Sequence, residues 1–253
     1  MIYRHPLLRS IALATALVGL LGAQTGREIA ERADSRPAPA DMRSDMTMTL
    51  TSRTGSSRTL TVHSARKGED LMILWFLAPA DDRGVAFLTI KRPSGDDEMR
   101  MWLPSFRRMR RISTSKRGDS FMGSDLSFED LTSRSLEDYS YTLLGEEAVE
   151  GDAVWILEVV PKPKLRSSYS RIVSKVRQSD LIAIHEAFYD RSGELLKERT
   201  TEVAPFGPYL LPVRMLMKNI QKNHTTELTF SNIEVDTGID ESLFHERNLR
   251  RLP

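Results

Sequence analysis

From Met42 to Val235 the sequence keeps returning to one pattern: strand-length segments, alternating or apolar throughout, separated by turns of a few residues. This pattern constrains the fold more than any other feature, because a period of two sends every second side chain to the same face of a strand. Met46, Met48 and Leu50 are apolar while Asp45, Thr47, Thr49 and Thr51 are polar, which predicts a half-buried strand. After a turn around Gly55, Leu60 and Val62 alternate with Thr59, Thr61 and His63, completing a hairpin. Residues 70–79, DLMILWFLAP, are apolar on both sides and predict a strand covered on both faces. Further strands are expected over 83–93, 97–104, 106–113, 138–149, 153–163, 170–178, 181–190, 195–203, 211–220 and 224–235. Helical spacing is confined to short stretches. Ile29, Ala30 and Ala33 share one side of 25–34, and Ser127 with Asp130 predicts a capping box within 124–131. An α/β fold would need helices between the strands. The expectation is therefore a mainly β chain, a single antiparallel meander of some ten or eleven strands that curls into a barrel which need not close.

Residues 1–23 read as a secretory leader, in which Arg4 and Arg9 precede the apolar SIALATALVGLLGA and Leu21-Gly22-Ala23 offers a cleavage site. The apolar run of about 14 residues falls short of the roughly 20 that span a membrane. Leu21 suits cleavage poorly, so an uncleaved tether stays open. There is no cysteine, hence neither a disulfide nor a lipid-bearing N-terminal Cys, and the core alone must hold the protein together. The organisation expected is a leader over 1–23, an N-terminal helix and linker over 24–40, and one β domain over 41–253. Without the leader, 36 − 2 = 34 basic residues face 35 acidic ones, a net charge of −1. A nucleic-acid-binding domain is basic overall, so nucleic acid is not an expected partner; the leader makes the expected setting the periplasm, and the protein is expected to be a monomer there.

Enzymatic chemistry finds little footing. His63, His185, His224 and His245 are scattered, with no HExxH motif, so no metal site is expected. No glycine-rich phosphate loop occurs, and no cofactor is expected. Gly118-Asp119-Ser120 resembles the nucleophile motif of one esterase group, but the Asp-x-x-His that would serve the serine is missing. Binding is what remains. Met46, Met48, Leu50, Leu60, Val62, Ile73, Trp75, Leu77, Phe87, Met101 and Trp102 are candidates to line one concave apolar face. Periodicity alone describes an ordinary packed core at least as well. Eleven methionines suit a surface that adapts to different apolar ligands, although methionine also fills gaps in cores.

The stretches RGVAFLTI and MWLPSFRRMRRISTSKRGDSFMGSDLSFEDL resemble the outer-membrane lipoprotein-sorting proteins of the LolA-like superfamily, most closely its exporter-associated branch. So do AFYDRSGELLKE (187–198) and FSNIEVDTGIDESLFHERNLRR (230–251). The resemblance implies a deeply curved, unclosed barrel with short helices as a lid, and a carrier of acyl chains or lipidated protein that needs no catalysis. It places Trp102, Leu103, Pro104, Arg107, Arg108, Arg110 and Arg111 in one block of the family pattern. Gly118, Asp119, Ser120, Phe121, Gly123, Ser124, Asp125, Glu129 and Asp130 fall in a second. Phe121, Met122, Phe128 and Leu131 would then join the lipid-binding residues from the lid side.

Arg107, Arg108, Arg110 and Arg111 form a basic run with no acid among them. On a strand over 106–113, Arg108 and Arg110 would point one way and Arg107, Met109 and Arg111 the other. The nearby acids Asp96, Asp97, Glu98, Asp119, Asp125, Glu129 and Asp130 could pair with them as a latch on the lid, each exposed pair contributing about 0–1 kcal/mol. An opened latch would free arginines for a phosphate headgroup or an acidic partner. The first functional expectation is thus a carrier working with an inner-membrane transporter and an outer-membrane acceptor. The second is a ligand-free accessory subunit of a resistance-nodulation-type exporter, and the third an esterase dependent on Ser120.

Overall fold

The computed structural model describes residues 25–92 and 97–253; the leader read from residues 1–23 and the acid Asp96 lie outside them. Thr25 caps the helix α1 (Gly26–Asp34) with the reciprocal bonds of a capping box: its hydroxyl accepts from Glu28 N at 3.2 Å, and the Glu28 carboxylate accepts from Thr25 N at 2.8 Å. Ile29 and Ala30 on its inner side are buried.

The rest is one antiparallel sheet built from two meanders. The first runs through β1 (Asp41–Thr51), β2 (Ser57–Lys67), β3 (Leu71–Ala78), β4 (Ala86–Ile90), β5 (Glu98–Leu103) and β6 (Arg108–Arg111). A crossover of residues 112–138 leads to the second: β7 (Tyr139–Val149), β8 (Asp152–Pro161), β9 (Tyr169–Arg177), β10 (Ala183–Asp190), β11 (Leu195–Phe206), β12 (Tyr209–Asn219) and β13 (His224–Val235). Pairing of β1 with β13 joins the meanders, giving the order β6-β5-β4-β3-β2-β1-β13-β12-β11-β10-β9-β8-β7. β6 and β7 are free edges, so the sheet curves without closing. It has 13 strands rather than ten or eleven. The short segments β4 and β6, of five and four residues, each complete a ladder because a longer neighbour supplies the partner groups.

Two apolar cores lie on opposite faces. The larger gathers side chains from both meanders, Met48 and Leu60 through Trp155, Ile172, Phe188 and Leu228, and so marks the concave face. The smaller sits on the convex side of β2–β5, where Ala65, Ile73, Trp75, Ala86 and Leu88 are covered by Ile239, Phe244 and Leu249 of the C-terminal segment. Asp41 anchors that segment by accepting from Thr237 N at 2.8 Å, Gly238 N at 2.9 Å and Ile239 N at 3.0 Å.

Two expectations change here. The strand foreseen over 106–113 is only Arg108–Arg111, because Pro104–Phe106 forms a 3-10 turn and Arg107 takes φ 45, leaving Arg107 outside the alternation. The capping bonds of Ser127 and Asp130 both form, Ser127 N to Asp130 Oδ2 at 2.7 Å and Asp130 N to Ser127 Oγ at 3.3 Å. They enclose only the 3-10 turn Glu129–Leu131 rather than a lid helix. The crossover does not roof the opening; it packs into the concavity.

Candidate functional site

Phe121 and Phe128 of the crossover enter the concave core beside Phe76 and Phe87. Ring centroids stand 5.8 Å apart for Phe76–Phe121, 5.2 Å for Phe87–Phe121, and 5.6 Å for both Phe87–Phe128 and Phe121–Phe128. This aromatic cluster fills the part of the concavity under β3 and β4. Gly118 lets the crossover run close to the second meander, since a Cβ there would meet Ser168 Cβ at 2.8 Å.

Buried polar contacts pin the crossover to β9–β13. Asp130 Oδ2 accepts from Lys197 Nζ at 2.5 Å, and Tyr169 donates to Asp130 Oδ1 at 2.8 Å. The Lys197 and Asp130 side chains are 3% and 1% exposed. Burial works to raise the Asp130 carboxyl, but the Lys197 charge and the bonds from Lys197, Ser127 and Tyr169 outweigh it and hold that carboxyl below its ordinary value. Burial, followed by the Asp130 charge, pushes the Tyr169 hydroxyl well up. Asp125 Oδ2 contacts His224 Nδ1 at 2.6 Å and accepts from Thr226 Oγ1 at 2.8 Å. Glu129 accepts from Ser168 N at 2.9 Å and from the hydroxyls of Ser167 and Ser168. Arg134 and Arg199 both bind Glu186, Arg134 Nη1 at 2.5 Å from Glu186 Oε1.

A cavity of about 380 Å³ remains on the concave side, between the crossover and strands β1–β3 and β11–β13. Met42, Met46, Met72, Leu74, Met215, Leu228 and Phe230 line it, with Leu126 and Leu131 from the crossover. Arg36, Arg66 and Arg199 also reach its wall. Burial lowers the guanidinium of each, and for Arg199 burial together with the neighbouring Arg134 charge brings it to about 10. A second, more polar recess of about 690 Å³ opens between the ends of the two meanders, lined by Lys91, Arg92, Asp97, Arg117, Arg134 and Asp138 among others.

The predicted apolar residues divide three ways. Met46, Met48, Leu50, Leu60, Val62, Phe87, Met101, Phe121 and Phe128 are buried in the concave core, with Met122 and Leu131 packed against it. Of these, only Met46 and Leu131 line the cavity. Ile73, Trp75, Leu77 and Trp102 belong to the opposite face under the C-terminal segment, a correction to the expected groove. Trp75 Nε1 donates to Asn248 O at 3.3 Å there, and Arg250 stacks 5.2 Å over Trp102. β3 is apolar at every position, so its sequence carried no parity, and Leu74 and Phe76 are the residues that face inward. Missed by sequence reasoning were Met42, Met72, Met215, Leu228 and Phe230. Met42 shares the parity of Met46, and Arg66 that of Val62, which was the available signal.

The latch is also differently wired. Arg107, Arg108, Arg110 and Arg111 are exposed and form no ion pair among the described residues. Their expected acids are taken: Asp97 by Arg117, Glu98 by Arg92 and Arg100, Asp119 by Lys116, Asp130 by Lys197. Arg108 and Arg110 do share a side of β6, and Met109 packs on the convex core with Trp102. The hydroxyl of Ser120 donates to Ser124 O at 2.5 Å, so it is committed to a backbone carbonyl rather than to a histidine.

One unclosed, curved antiparallel sheet with its larger core on the concave side is the fold of outer-membrane lipoprotein-sorting and LolA superfamily proteins. A family model described only as an uncharacterized protein matches residues 68–251. A domain from Vibrio parahaemolyticus named for outer membrane lipoprotein sorting is 31% identical, with TM-score 0.83 over 89% of this chain and 98% of that one. A DUF1329 family protein from Desulfovibrio piger is 30% identical, with TM-score 0.85 over 88% of this chain and 97% of that one. A LolA superfamily protein from Nitrosomonas europaea, 21% identical, shares the fold at TM-score 0.73, covering 89% of this chain and all of its own. The chain belongs to this family of outer-membrane lipoprotein-sorting proteins. No curated protein matches the sequence. Among the described residues no helix is long and apolar enough to cross a membrane.

Proposed function

We propose that the protein is a periplasmic, non-enzymatic carrier that shelters acyl chains in the concave cavity and passes them between an inner-membrane transporter and an outer-membrane acceptor. The observation that carries the reading is the cavity itself, about 380 Å³ and walled by flexible methionines and aliphatic side chains. Ligand pockets are concave, mostly apolar and already formed, at about 300–1,000 Å³. The relative's name points to the same cargo class. The crossover does not act as a weakly latched lid in this reading. It is a fixed wall, because removing one partner of a buried pair such as Asp130–Lys197 costs about 3–5 kcal/mol, against about 0–1 kcal/mol for an exposed pair.

The rim at β6 is the docking surface for the transporter. Phe106 is 76% exposed at a free sheet edge, beside four arginines that form no ion pair among the described residues. The same charges discourage edge-to-edge pairing of copies, which suits a monomer. This rim also favours the second reading, a ligand-free exporter subunit. Organic extraction of protein purified from the periplasm separates them: mass spectrometry finds bound acyl lipid for the carrier and none for the accessory subunit. Exchanging Arg108 and Arg110 for Glu is expected to abolish capture by the transporter while leaving the purified protein's binding of added lipid unchanged. Unaltered capture would remove the rim from the account.

A further inference from the structure

The cavity is apolar over most of its wall, yet two of its cations pair with no carboxylate among the described residues. The Arg66 side chain forms no hydrogen bond or ion pair among the described residues, and the Arg36 side chain donates only to Ala33 O, at 3.1 Å. The acids nearest in effect are Glu69 for Arg66 and Asp180 for Arg36. Both are engaged elsewhere. Glu69 Oε2 stands 3.4 Å from Lys91 Nζ, and Asp180 Oδ2 accepts from Arg177 Nη2 at 2.6 Å. The remaining charges at the wall are neutralised: Asp130 by Lys197, and Arg199 by Glu186, although Arg199 Nε is buried without a partner. Both residues are half-buried, so each guanidinium is partly withdrawn from water with no carboxylate paired to it, and an arriving anion would gain a charge-assisted bond there.

We infer that this cavity selects a single-chain amphiphile with an anionic head, its alkyl chain along the methionine-lined wall and its head against Arg66 and Arg36. The inference rests on the carrier reading and narrows its cargo. A space of about 380 Å³ is at the small end of ligand pockets, which fits one chain better than several. Guanidinium groups bind carboxylate and phosphate alike through paired N–H donors, so the head is either a fatty-acid carboxylate or a phosphate monoester. Burial disfavours the charged form of both arginines, lowering their pKa, and the same loss of water strengthens a bond to an anion.

Calorimetric titration of delipidated protein with dodecanoate, dodecyl phosphate and dodecanol, matched in chain length, tests this. Both anions should bind about tenfold or more tightly than dodecanol, the factor one charge-assisted hydrogen bond supports. The order of the two anions identifies the head. Arg66→Gln should bring the anions to the level of dodecanol without weakening dodecanol itself, whereas Arg66→Lys should keep part of the preference. Thermal melting by circular dichroism verifies that both variants are folded. Dodecanol binding as tightly as the anions to the unaltered protein would overturn the inference and leave the carrier reading standing. Failure of all three to bind would remove both.

Discussion

Lys197 and Asp130 lie 67 positions apart in sequence and meet where almost no water reaches. Lys197→Met leaves a carboxylate buried with only Tyr169 and Ser127 as donors, so urea unfolding should show a loss of about 3–5 kcal/mol. The double variant with Asp130→Leu should recover much of it, because the stranded charge is then gone. A single variant with unaltered stability would contradict the pin. Asp130 and Asp41 also set the acid response. Both carboxyls are opposed by burial but held below their ordinary values, Asp130 by Lys197 and Asp41 by the N–H groups of Ile239, Thr237 and Gly238 and the Thr237 hydroxyl. A depressed folded value means that the unfolded chain takes up protons first. Stability from both groups is therefore full above the unfolded value, about 3.9. It declines as pH falls from there and is lost below the folded value. Urea midpoints should be flat near neutrality and drop below about pH 4. A flat profile down to pH 2 would contradict this.

At the scale of elements, the C-terminal segment supplies three of the eight buried side chains of the convex core, Ile239, Phe244 and Leu249. Deleting residues 240–253 removes Phe244 and Leu249 and strips the cover from Ile73 and Trp75, now 0% and 2% exposed. Each lost side chain of this kind contributes about 1.5–3 kcal/mol when buried. Truncation should therefore lower the melting temperature and shift tryptophan emission to the red, while leaving the concave cavity and its ligand in place. Unshifted emission would mean that the segment does not cover Trp75. The same face shows where sequence reading stopped. Alternation in β1 and β2 put Met46, Met48, Leu50, Leu60 and Val62 on the right side, because polar neighbours broke the symmetry. LMILWFL offered no such break, and Ile73, Trp75 and Leu77 were placed in the wrong core. Contacts such as Asp130–Lys197 were illegible for another reason: nothing local marks the partner of a buried charge. The basic run at 107–111 was legible as a run, but its lack of partners depended on which acids the fold had already engaged.

Across the whole molecule, the half-barrel followed from spacing, since some ten or eleven strand-length segments with no helices between them leave little besides an antiparallel meander. What spacing did not convey is that the crossover turns inward. It fills one side of the concavity with Phe121 and Phe128 and leaves the other side hollow. The account stands on that hollow being occupied by acyl chains. The most direct measurement compares lipid extracted from the unaltered purified protein with lipid extracted from Met215→Trp, which places an indole in the cavity wall without touching the pins of the crossover. The account predicts near-stoichiometric acyl lipid in the first and little or none in the second, with both equally folded by circular dichroism. Equal lipid in both, or none in either, would contradict it.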